Sequence, residues 1–98
     1  MAYLVFCTFD LKQGSASDYQ TAYADLAATG LARVHTSDQG QDVVIPTTAA
    51  MGFFNGTSAG AVRTDVCDRV QHAFKVRRLQ SETFIVVGGD WAWGARTT

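Results

Sequence analysis

Two carboxylates stand where apolar runs meet polar ones: Asp10 follows Tyr3–Phe9, and Glu82 opens Glu82–Gly88. Brought side by side, such a pair can hold a hard divalent cation, Mg²⁺ or Mn²⁺. Lys75, Arg77 and Arg78 form the one compact cationic group of the chain, and guanidinium groups suit phosphate oxygens. His35 lies in a β-rich stretch and is the kind of side chain that moves a proton near neutrality. Read together, these residues fit phosphodiester chemistry. Asp10 and His35 are the catalytic candidates, Asp10 and Glu82 the metal ligands, and Lys75, Arg77 and Arg78 the nucleic-acid contacts. Each also has a plainer role. Asp10 can end a strand, the three cations complement a helix C-terminus, and a histidine on a short strand is more often half-buried structure than a base. His72 reads as solvated, and Tyr19 and Tyr23 read as core.

The frame for these residues is small. The chain has 98 residues, 47% apolar and 17% charged, which is one domain, residues 1–98, able to bury a single core. Eight basic residues against nine acidic leave a net charge of −1, which excludes binding nucleic acid through bulk positive charge. No apolar run approaches a membrane span, and the N-terminal residues lack the basic segment and cleavage site of a signal peptide. Cys7 and Cys67 form no paired motif; they read as reduced core thiols of a cytoplasmic protein. No phosphate-binding glycine loop, dinucleotide fingerprint or zinc spacing is present.

Strand signals cover Tyr3–Phe9, Leu31–Thr36, Asp42–Thr48 and Glu82–Gly88, the first and last apolar at both parities. Ser17-x-x-Gln20 reads as a capping box for a helix whose apolar stripe is Tyr19, Ala22, Tyr23, Leu26 and Ala27, ended by Gly30. Ser37-Asp38-Gln39-Gly40 has turn chemistry, and Pro46 warns of an early strand end. Thr47–Gly60 reads as an irregular loop. Ser58 caps a second helix from Ala59 to about Val76, with Val62, Val66, Val70, Ala73 and Phe74 on its apolar side. The order β-α-β-β-α-β predicts an α+β, ferredoxin-like fold, with both helices on one face of a four-stranded antiparallel sheet. Trp91–Trp93 supplies a short fifth strand at the C-terminus. In that topology one sheet edge gathers Asp10, His35, Asp42, Ser81 and Glu82, with Lys75, Arg77 and Arg78 arriving from the second helix. Strands apolar on both faces leave the helix-free face greasy, which predicts a homodimer with Trp91 and Trp93 at its interface; the alternative is that the tail folds back over its own sheet.

A strand ending in Phe9-Asp10-Leu11 leads to a helix carrying Tyr19, Ala22-Tyr23 and Asp25-Leu26 and closed by a glycine. A hairpin with Val44-Ile45-Pro46-Thr47 follows, then a helix and the strand Phe84-Ile85-Val86-Val87. In this order and pattern the chain resembles the small ribonuclease-fold proteins of toxin–antitoxin systems, the VapD toxins and GhoS-type antitoxin endoribonucleases. The resemblance implies a dimer that cleaves RNA with or without a metal, with Asp10 as the strand-end carboxylate at the dimer cleft. The chain departs from the VapD pattern at Thr47–Gly60. Two other readings stand beside it. One is a non-enzymatic dimeric binding or regulatory module using the sheet or the Thr47–Gly60 loop. The other is a small enzyme of the dimeric-barrel type with His35 or Arg33 in a pocket. Arginines flanking Asp10 favour the nuclease; an apolar cavity favours ligand binding.

Overall fold

The computed structural model describes all 98 residues. Its elements are β1 (Ala2–Leu11), α1 (Ala16–Thr29), β2 (Val34–Thr36), β3 (Asp42–Val44), β4 (Ala49–Asn55), α2 (Ala59–Val76) and β5 (Ser81–Gly88). The main sheet has three antiparallel strands in the order β4-β1-β5, and β2 and β3 form a separate two-stranded hairpin. β1 is therefore central, as its apolar parities require. Its residues Tyr3, Val5, Cys7, Phe9 and Leu11 are buried with Ala22 and Leu26 of α1 and Val62, Val66, Val70 and Phe74 of α2. The Phe9 ring meets Tyr19 and Tyr23 of α1 and Phe74 of α2 at centroid distances of 6.0, 5.3 and 5.5 Å. Both helices thus cover the same face of β1.

The helix ends follow local rules. Ser58 caps α2 through Ala61 N–H, and Gly30 closes α1 in a left-handed conformation, φ 104°. The capping box lies two residues earlier than Ser17-x-x-Gln20. Ser15 Oγ accepts from Asp18 N–H, and the Asp18 carboxylate accepts from Ser15 N–H. A short acidic side chain closes this box as well as the longer Glu or Gln of the usual pattern.

The middle of the chain departs from the expected four-stranded sheet. Where a fourth strand was expected, only Ala32 bridges to Met51, through two hydrogen bonds of 2.8 and 2.9 Å. Beyond it the chain leaves the sheet as the β2–β3 hairpin, turned by Ser37–Gly40. The expected strand Asp42–Thr48 ends at Val44, just before Pro46, which has no N–H to continue a ladder. The expected loop Thr47–Gly60 instead contains β4, paired with β1 from Ala2↔Asn55 to Thr8↔Ala49. Its alanines and glycine carry weak strand propensity, but tertiary packing demands them. A Cβ on Gly52 would lie 2.0 Å from the Gly30 carbonyl oxygen. No fifth strand forms: residues 89–98 are irregular, and Trp91 packs at a tilt against Phe53 of its own chain, with ring centroids 4.7 Å apart. No helix is long and apolar enough to cross a membrane.

Candidate functional site

Alternation along the strands puts Leu4, Phe6, Thr8 and Asp10 on the face without helices. Residues directly opposite in antiparallel pairs share a face. That face therefore also holds Ala49, Met51 and Phe53 of β4, with Glu82, Phe84 and Val86 of β5. Its β4 side is roofed by the β2–β3 hairpin and the C-terminal tail, and Ala49 and Met51 are buried. Its β5 side is bare, with Phe84 66% and Val86 50% exposed. Between the roof and β5 runs an open groove of about 950 Å³.

Asp10 and Glu82 are opposed in register at one end of this groove. The Tyr19 hydroxyl donates to Asp10 Oδ1 at 3.2 Å and accepts from Leu11 N–H at 3.0 Å. This helix tyrosine, which reads as core from its stripe position, thereby orients the carboxylate. Glu82 pairs with Lys12 at 3.4 Å, both side chains well exposed. No set of three or more His, Cys, Asp or Glu side chains converges to hold a metal. A divalent ion bound here would take two protein carboxylates and complete its shell with water.

His35 also lines the groove. Its Nε2 lies 3.0 Å from the Ala32 carbonyl oxygen and 2.8 Å from that of Met51. Both neighbours are acceptors, so Nε2 carries the proton and donates to them. That nitrogen reinforces the one bridge tying the hairpin to the sheet, and Nδ1 is left for other chemistry. The Trp93 ring stands edge-on to His35 at 6.4 Å, and Trp93 forms part of the groove wall.

The cationic residues go elsewhere. Arg77 forks onto Asp25 at 3.0 and 3.3 Å, joining α2 to α1 on the far side of the sheet. The hydrogen bond and charge of Asp25 raise the Arg77 pKa further above its ordinary value. Arg78 adopts φ 58° and donates its N–H to the Lys75 carbonyl at the helix exit. Lys75 lies beside Cys67 and Ser81 at a smaller surface hollow. None of the three lines the groove. Asp42 accepts from the Thr36 hydroxyl at 3.1 Å within the hairpin, and Ser81 also lies outside the groove lining. Arg33 stacks on the Tyr23 ring, 4.0 Å from its centroid. The Arg33 Nε and the Tyr23 hydroxyl are buried without a hydrogen-bond partner.

The predicted gathering at one edge thus divides. Asp10, Glu82 and His35 share the groove, while Lys75, Arg77 and Arg78 belong to the helix layer. The parts that sequence reasoning missed are Lys12, the Tyr19 hydroxyl and the walls from Thr8, Met51 and Phe84. Strand alternation from Asp10 gives Thr8, but pairing with Met51 required β4 to be recognised as a strand. Neither a scan against protein-family models nor a search of curated proteins finds a match to this chain.

Proposed function

We propose that the protein is a binding module of ferredoxin-like architecture that takes a small ligand in the groove on its helix-free face. In this reading β1, β4 and β5 are three of the four strands, and the Ala32 bridge marks the place of the fourth. The observation that carries the proposal is the groove lining: an apolar floor and aromatic walls, with Asp10, Glu82 and His35 and no lysine or arginine. Ligand sites are typically concave and mostly apolar with a few converging polar groups. A second copy belongs to the same proposal. Phe84 and Val86 border the groove on its bare side, and a partner resting on them would add a wall to it.

The test is a benzyl alcohol titration of a Trp91→Phe variant, which leaves Trp93 as the only indole emitter in the sample. Saturable change in Trp93 emission is the expected result. A response that never saturates overturns the ligand-binding reading.

A second reading, metal-assisted RNA cleavage, is favoured by one observation, the cross-strand opposition of Asp10 and Glu82. It also rests on the resemblance to toxin–antitoxin ribonucleases. Under it, Asp10→Asn lowers Mg²⁺- or Mn²⁺-dependent cleavage of RNA by at least about tenfold. Wild-type protein that leaves RNA intact with either ion removes this reading.

A further inference from the structure

The groove has a sign. Its charged lining consists of Asp10 and Glu82, while the cations nearest in sequence are committed elsewhere: Arg77 to Asp25, and Arg78 to the α2 exit. Only Lys12 approaches, paired with Glu82 at 3.4 Å without lining the groove. Asp10 has no cationic partner; its one side-chain hydrogen bond comes from the Tyr19 hydroxyl. Phe6, Phe84 and Trp93 supply aromatic surface in the same groove. An ammonium or amidinium group gains both from a carboxylate and from the face of an aromatic ring. An anionic ligand would meet two like charges, of which only Glu82 has a counter-ion, Lys12.

Resting on the ligand-binding reading, we propose that the groove selects a small organic cation with an apolar or aromatic body. The charged head would lie at the Asp10–Glu82 end and the body along Phe84 toward Trp93. The hydroxyl of Thr8, which also lines the groove, lies two residues before Asp10 on the same face of β1 and can accept from the head group.

The experiment compares three probes of one shape on the full chain at neutral pH: benzylammonium, benzyl alcohol and benzoate. Binding is read from the amide resonances of Thr8, Asp10 and Glu82 and the indole N–H of Trp93. The expected order is benzylammonium first by about fivefold or more over benzyl alcohol, with benzoate weakest. Fivefold is what one exposed ion pair of about 1 kcal/mol supplies. Asp10→Asn keeps an oxygen for the Tyr19 hydroxyl and should erase the preference for the cation. Added salt should weaken benzylammonium and leave benzyl alcohol unchanged, a readout that needs no variant. Equal binding of benzylammonium and benzyl alcohol overturns the charge selection while leaving a ligand groove. No binding by any of the three overturns both. Displacement of benzylammonium from Asp10 by stoichiometric Mg²⁺ also overturns the proposal, because the carboxylates then form a metal site.

Discussion

Along β1, Tyr3, Val5, Cys7, Phe9 and Leu11 point into the helix layer, while Leu4, Phe6, Thr8 and Asp10 point the other way. The two sets alternate residue by residue on one strand. The inner set is closed on every side, and the largest fully buried side chains, Phe74 and Leu26 among them, belong to its cluster. The outer set is only half covered, by a hairpin and an irregular tail, and the bare half carries Phe84 and Val86. The inner face therefore stabilises the fold, and the outer face is available for binding. What makes the difference is the cover, since both faces are largely apolar.

Truncation in the core is the strongest way to sharpen this comparison. Phe74→Ala removes a ring that is 2% exposed and packs at a tilt against Phe9, and it should cost about 3–5 kcal/mol in urea unfolding. A loss below about 1 kcal/mol would mean that the helix layer is not the closed core described here.

The next effect is a pH dependence peculiar to the inner face. Burial, reinforced by the nearby Cys67, pushes the Cys7 thiol from 9.0 up to about 11. The folded state then holds its proton where the unfolded chain has released it. This contribution is complete below pH 9 and is lost as pH rises toward 11. Two pH units correspond to roughly 2–3 kcal/mol. Thermal unfolding followed from pH 8 to 11 should show a fall that Cys7→Ala largely removes. An unchanged slope in the variant would place the titration elsewhere.

The smallest effect is expected on the outer face. Phe84→Ser changes an exposed side chain, so the monomer's stability should move by no more than about 0.5 kcal/mol. Its consequence should appear in association: light scattering of the wild type should give twice the chain mass, and the variant should give a monomer. A monomeric wild type would break the assignment of this strip to a second copy. A stability loss as large as that of Phe74→Ala would break the distinction between the faces.

Much of the fold was legible from local pattern. The central place of β1 follows from its two apolar parities, and α2 from Ser58 and the spacing Val62, Val66, Val70, Phe74. The stop at Gly30 follows from the backbone freedom of glycine. These signals are contained in a few neighbouring residues and need no distant partner. The candidate site was legible in part. Asp10 and Glu82 stand at the ends of recognisable strands, and their opposition follows once β5 pairs with β1.

Tertiary structure alone decided the rest. Ala49–Asn55 became a strand because β1 offered an unpaired edge and Gly52 allowed the Gly30 carbonyl to come close, although its alanines and glycine argue against a strand. Arg77 turned to Asp25, 52 residues away, and Tyr19 reached Asp10 across the turn between β1 and α1. A side chain's local setting specifies its secondary structure. Its partner depends on which surfaces the chain brings together, and that information is spread over the whole sequence.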